Sequence, residues 1–72
     1  MGVEMHRVVS SNVLAVGYNE ELQIVHVQFQ NGSEYMYKGV PKHEYEGLIN
    51  APSIGSYLFQ NFKNVYPYER IS

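Results

Sequence analysis

The strongest constraint on the fold is the dipeptide Asn31-Gly32, which separates two stretches of alternating apolar and polar residues. Asn-Gly in this setting is the clearest short-range sequence signal for a β-hairpin. The two strands are predicted within residues 22–29 and 33–40. Their register decides whether Tyr35 and Tyr37 point into a core or onto an open face, where they would be free to stack on a ligand.

Two hairpin registers compete. A two-residue turn at Asn31-Gly32 mixes apolar and polar side chains on both faces. A three-residue loop, with Gly32 in the left-handed conformation that glycine tolerates, separates them. One face then carries Val25, Val27, Phe29, Tyr35 and Tyr37, and the other carries Ile24, His26, Gln28, Glu34, Met36 and Lys38. Because a one-residue slip moves a strand's whole side-chain set to the other face, the pattern favours the bulged loop, with the tyrosines inside.

A short helix is predicted after the hairpin, over residues 42–50. Pro41 suits its first position, where the missing N–H would have no partner in any case. Tyr45, Leu48 and Ile49 share one face of this helix, which is expected to lie on the sheet. The helix ends before Pro52, because the residue preceding a proline avoids the helical conformation.

A second helix is predicted to begin after Ser53, a favourable N-cap residue. Its apolar face is expected to be formed by Ile54, Leu58 and Phe62, which are spaced four apart, with Phe59 beside them. Gly55 lowers helix stability by up to about 1 kcal/mol relative to alanine, which indicates that another part of the chain approaches the backbone there.

The remaining segments predict short strands and turns. Residues 7–9 read as an edge strand, 13–16 as an apolar strand and 17–20 as a turn. Residues 65–68 are predicted to be extended, and Pro67 confines them to a sheet edge. That tail is expected to pair with the first strand, within one chain or, as a strand exchange, between two.

Together these elements predict an α+β fold: a small antiparallel sheet of three to four strands, with the hairpin at its centre, packed against two short helices on one face. Residues 1–6 are expected to form a flexible N-terminus, and residues 7–72 a single domain. A chain of 72 residues lies near the lower limit for folding unaided.

Composition narrows the functional classes. There is no cysteine, which excludes disulfides and thiolate metal sites. The net charge of −2, with only 5 lysines and arginines, argues against strong non-specific nucleic-acid binding, which depends on neutralising phosphates. Because no segment is apolar enough to span a bilayer and the N-terminus lacks the features of a signal peptide, we expect a cytoplasmic protein without membrane association.

No catalytic or metal-binding pattern is visible. His6, His26 and His43 are too dispersed to form a metal site, and no base is placed to activate Ser10 or Ser11. The acids near His43 are typical of a solvated first helical turn. The sequence therefore predicts a protein that is not an enzyme and that needs no cofactor.

The order and spacing of several short motifs resemble the KTSC domain, a bacterial module found at the C-terminus of some lysyl-tRNA synthetases and as a stand-alone protein. The resemblance covers residues 7–71. Its motifs are Ser10-Ser11-Asn12, Val16-Gly17-Tyr18, Asn31-Gly32, Tyr35-Met36-Tyr37, Val40-Pro41, Ala51-Pro52-Ser53, Gly55-Ser56-Tyr57-Leu58 and Tyr66-Pro67-Tyr68. This family is functionally uncharacterised, and its synthetase context implies RNA binding.

Two hypotheses follow. The first is a non-catalytic module that binds RNA, either tRNA or a single strand, through aromatic stacking and cations. The candidate contact residues are Tyr37, Lys38, Lys42, Tyr57, Lys63 and Arg70. The second is a protein-interaction or homodimerisation module that uses the outer sheet face, with Ile24 and Met36, or the terminal strands.

Overall fold

The computed structural model describes residues 3–72 and contains five strands and two helices. In chain order the strands β1 to β4 come first, then the helices α1 and α2, and finally the strand β5. Their bounds are β1 His6–Arg7, β2 Val13–Asn19, β3 Ile24–Phe29, β4 Glu34–Lys38, α1 Lys42–Ile49, α2 Ile54–Asn61 and β5 Tyr68–Arg70. The α+β fold with two short helices is confirmed.

The strands form one antiparallel sheet in the order β1-β2-β3-β4-β5. The prediction of three to four strands was slightly low because both edge strands are very short. The prediction that the C-terminal tail pairs with the first strand was wrong. Lys38 N donates a hydrogen bond to Pro67 O (2.8 Å), which starts β5 alongside β4, so β1 and β5 lie at opposite edges. Pro67 leads into an edge strand, as predicted.

The central hairpin has the predicted bulged register. Val25 lies opposite Tyr37 and Val27 opposite Tyr35. Phe29 N donates to Ser33 O (2.8 Å) and Gly32 N to Phe29 O (3.0 Å), and Gly32 has a φ of +93°. The separation of side chains therefore selected the correct register.

The strand β2 is longer than predicted, since it continues through residues 17–19, which were expected to form a turn. The turn begins at residue 20, and the Asn19 side chain accepts a hydrogen bond from Leu22 N (3.0 Å) within it. A Cβ on Gly17 would lie 2.7 Å from Glu4 O, so the absence of a side chain lets the N-terminal segment lie across the outer sheet face.

His6, which was assigned to a flexible N-terminus, lies in β1; residues 1–2 of that prediction lie outside the described residues.

Both helices pack on the same face of the sheet. Ser53 caps α2 by accepting a hydrogen bond from Ser56 N (3.3 Å). The predicted face of α2 is confirmed for Ile54, Leu58 and Phe62, which are all buried, whereas Phe59 beside them is exposed. The core consists of Val13, Val16, Val25, Val27, Tyr37, Val40, Leu48, Ile54, Leu58 and Phe62.

The helix α1 differs from its prediction in two details. Pro41 has an extended ψ of 156° and is the N-cap rather than the first helical residue. Leu48 is buried, but Ile49 remains 41% exposed because α1 ends there. Tyr45 stacks on Tyr18 with ring centroids 5.0 Å apart, which anchors α1 to β2. Among residues 3–72, neither helix is long and apolar enough to cross a membrane.

Candidate functional site

Tyr37 belongs to the core and is only 6% exposed. Its ring meets Phe62 edge-on, with centroids 5.5 Å apart and planes at 88°. The bulged register turns this side chain towards α2 and the helix covers it. Because neither face of the ring is open for stacking on a base, Tyr37 does not belong among the candidate contact residues.

Two of the predicted cations are already engaged in ion pairs. Lys38 Nζ lies 3.3 Å from Glu69 Oε1, and Lys42 Nζ lies 3.2 Å from Glu20 Oε1. Lys38 projects from the outer sheet face, whereas Lys42 begins α1. Each of the two lysines is therefore partly neutralised by an acid.

Tyr57 is half-buried between the helices, and its hydroxyl donates a hydrogen bond to Glu44 Oε1 (3.1 Å). The same hydroxyl lies where a side chain on Gly47 would be, so glycine at this position permits the close helix contact. Burial raises the pKa of Tyr57 above its ordinary value of 10.0, and the hydrogen bond to Glu44 raises it further. Tyr57 therefore connects α1 to α2 rather than facing a ligand.

The remaining predicted cations, Lys63 and Arg70, each lie beside aromatic rings. Arg70 lies opposite Tyr35 in the β4–β5 ladder. Tyr35 contacts Phe29 edge-on at 5.5 Å and Tyr68 at 5.6 Å between ring centroids. We call this surface, between α2 and the β5 edge, the aromatic groove. It comprises Phe29, Tyr35, Phe59, Lys63, Tyr68 and Arg70.

The α2 side of the aromatic groove is formed by Phe59, which is 64% exposed. Lys63 Nζ lies 4.6 Å from the centroid of the Phe59 ring. A cavity of about 140 Å³, lined by both residues and by Phe29, connects α2 to the sheet. Within residues 3–72, neither Lys63 nor Arg70 forms an ion pair with an acidic side chain.

A second cavity of about 410 Å³ opens at the other side of Phe59, between the loop of residues 10–12 and the start of α2. We call it the polar cleft, since hydroxyl and amide groups dominate its lining. Its principal side chains are Ser11, Asn12, Ser53, Ser56, Phe59 and Gln60.

The close approach predicted at Gly55 is made by Asn12, which lines the polar cleft. A Cβ on Gly55 would lie 2.7 Å from Asn12 Oδ1, so glycine allows the loop to approach the helix. The Ser10 hydroxyl accepts a hydrogen bond from Val13 N (3.3 Å), which helps to hold the loop in this position. Sequence reasoning found the close approach but did not identify Asn12, Phe59 or Gln60 as site residues, because only the fold brings the loop beside α2.

The chemistry available at these surfaces is stacking and hydrogen bonding. Within the described chain, no serine hydroxyl of the polar cleft is hydrogen-bonded to a histidine or carboxylate, and residues 3–72 contain no group of three acidic or histidine side chains placed to hold a metal ion. The two surfaces share Phe59, so a ligand on one can continue onto the other.

Comparison with known proteins gives consistent results. A family model described as the KTSC domain matches residues 9–66. An uncharacterised protein from Stutzerimonas stutzeri is 40% identical over 63 residues, which are 86% of this chain and 89% of that protein. A lysine–tRNA ligase from Nostoc sp. is 37% identical over 62 residues, or 86% of this chain, but this is only 11% of the ligase.

A solved structure is also similar. The crystal structure of a KTSC domain protein from Yersinia pestis superimposes with a TM-score of 0.92, covering 99% of this chain and 100% of that chain at 26% identity. The similarity therefore extends over the whole sheet and both helices.

Proposed function

The chain belongs to the KTSC domain family, and we propose that it is a non-catalytic module that binds single-stranded RNA on the aromatic groove. The observation that carries the proposal is the set of exposed and half-buried rings that lies between Lys63 and Arg70. Arg70 Nε donates to Ser72 O (3.0 Å), but neither cation makes an ion pair with an acidic side chain of residues 3–72. Related segments also occur within proteins named lysine–tRNA ligases, which supports RNA as the class of partner.

Aromatic rings and cations have separate roles in such binding. Stacking of a base on an aromatic ring contributes about 1–3 kcal/mol per base and tolerates any sequence. Phe59 and Tyr68, which are 64% and 56% exposed, offer faces for this contact. Lys63 and Arg70 lie beside them to neutralise phosphates. With a net charge of −2, the domain depends more on stacking than on charge.

The experiment is fluorescence anisotropy of a labelled single-stranded RNA of about 12 nucleotides, within the size range that compact single-strand binders cover. The paired variant Lys63→Gln/Arg70→Gln is compared with Lys38→Gln/Lys42→Gln, which removes the same charge from cations held in ion pairs. Each lost phosphate contact reduces the slope of log affinity against log salt by about 0.7.

We expect the first pair to reduce that slope by about 1.4, with the control pair close to wild type. Circular dichroism verifies that both variants are folded. The proposal is overturned if the wild-type domain binds no RNA at low ionic strength, or if the two pairs of substitutions weaken binding equally.

A homodimer formed through the outer sheet face is the second candidate. Ile24 and Met36 are half-buried there, and the neighbouring Ile71 is 43% exposed, which gives a second copy an apolar surface to cover. Sedimentation velocity at increasing concentration tests this directly. A dimer that Met36→Glu dissociates supports it, whereas a strict monomer at high concentration eliminates it.

A further inference from the structure

We infer that the polar cleft holds one unpaired adenine of the bound strand, selected by the side-chain amides of Asn12 and Gln60. This inference rests on the proposed RNA-binding function and adds a base preference to it. The volume of about 410 Å³ lies in the range of small-molecule sites, about 300–1,000 Å³, and therefore accommodates a nucleobase with its sugar.

The lining of the polar cleft indicates an uncharged ligand with both donors and acceptors. No lysine, arginine, histidine, aspartate or glutamate contributes to the cavity wall, so nothing there pairs with an isolated charge. Hydroxyl and amide groups instead donate and accept hydrogen bonds together. The edge of a nucleobase presents this same mixture of groups.

The two amides distinguish adenine from the other bases. The amide of asparagine or glutamine forms a bidentate pair with adenine, accepting from its N6 amino group and donating to N7. Gln60 is exposed on α2. Asn12 lines the cavity and its Oδ1 accepts a hydrogen bond from Ser10 Oγ (3.3 Å). Its Nδ2 donates to no other group of residues 3–72, which leaves it available as a donor to a ligand.

Asn12 is held in position by its surroundings, which is what base selection requires. Its side chain rests against Gly55, and its backbone N–H donates to Ser10 Oγ (3.4 Å). A selecting group that is already placed loses less conformational freedom on binding.

Phe59 connects the polar cleft to the aromatic groove, because its ring lines the cavities on both sides. Lys63 lies in the turn after α2, and its Nζ lies 4.6 Å from the centroid of the Phe59 ring. One strand can therefore stack bases in the groove, place a phosphate near Lys63 and insert the next base into the cleft.

The test uses oligouridine and the same oligomer with one central adenosine, cytidine or guanosine, measured by fluorescence anisotropy. We expect the adenosine oligomer to bind wild type at least about 5-fold more tightly, since a bidentate base contact contributes about 1–3 kcal/mol. Gln60→Ala and Asn12→Ala should abolish this preference, so that each variant binds the adenosine oligomer no more tightly than oligouridine. Gln28→Ala, which removes a glutamine from the outer sheet face, should retain the preference.

Adenosine alone, titrated into the labelled protein and followed by NMR, separates this inference from the proposed function. Shifts of the Gly55 and Gln60 backbone amide signals support adenine binding in the polar cleft. If these shifts occur but no RNA binds, only the proposal for the aromatic groove is overturned. RNA binding with equal affinity for all four oligomers, or a preference that persists in Gln60→Ala, overturns the cleft and leaves the groove. If the protein binds no RNA and adenosine shifts no amide signal, both proposals are overturned.

Discussion

Replacing Gly32 tests the register on which the arrangement of the core depends. Gly32 has a φ of +93°, and a Cβ built on it meets no atom within 4 Å. An added methyl group therefore creates no clash, and any change in stability comes from the backbone conformation alone. For an L-residue the left-handed conformation costs about 1–2 kcal/mol.

We expect Gly32→Ala to lower the free energy of unfolding by about 1 kcal/mol, because the smaller conformational freedom of unfolded alanine offsets part of that cost. In a domain of this size such a loss lowers the melting temperature by about 4–8 °C. It is also a substantial fraction of the roughly 3–5 kcal/mol that so small a core supplies. Thermal and urea unfolding, followed by circular dichroism, measures the change.

A D-alanine at position 32, introduced by chemical synthesis, is the matched control. It adds the same methyl group but favours positive φ, so we expect it to stabilise the hairpin, and Gly32→Asn to fall between the two forms of alanine. Equal stabilities for the L- and D-alanine proteins would refute the left-handed loop, and with it the register that turns Tyr37 inward.

Three further measurements test the packing. The Phe62 side chain is 0% exposed, so Phe62→Ala should cost about 3–5 kcal/mol of stability and largely unfold the domain. The Phe59 side chain is 64% exposed, so Phe59→Ala should leave the circular dichroism melt nearly unchanged. Similar losses of stability in the two variants would contradict the described orientation of α2. Ser53→Ala should cost about 1 kcal/mol in urea unfolding through loss of the α2 cap, and a result near zero would mean that Ser53 does not cap. Burial raises the pKa of Tyr57 in the folded state. The stability that the protonated hydroxyl contributes is therefore fully present below pH 10 and is lost as pH rises above 10. Tyr57→Phe should lose stability less steeply than wild type in alkaline unfolding, and equal slopes would argue against this burial.

The sequence alone was sufficient for the hairpin and the second helix because each has a local signal. Asn31-Gly32 and the side-chain alternation determine the register, and Ser53 with the four-residue spacing of apolar residues determines α2. The edge strands were harder to predict. Tyr68 pairs with β4 only because the turn after α2 delivers the chain there, and no local pattern records that path.

The functional surfaces were predicted less completely than the fold. Gly55 revealed a close approach, but identifying Asn12 as the neighbour required the placement of a loop more than forty positions earlier in the chain. The candidate cations were chosen by composition, and only coordinates show that Lys38 and Lys42 meet acids while Lys63 and Arg70 flank aromatic rings. Charge pairing on a surface depends on tertiary geometry that spacing along the chain does not specify.

Strands that follow one another in the chain are also neighbours in the sheet. Most strand pairs are therefore joined by short loops. Pairing between strands that are close in the chain favours rapid folding, on the order of milliseconds for mixed α/β domains. Ribosomes add only about 5–20 residues per second. Once its last strand has left the ribosome, a unit of this topology therefore completes its fold in less time than the ribosome takes to add one residue.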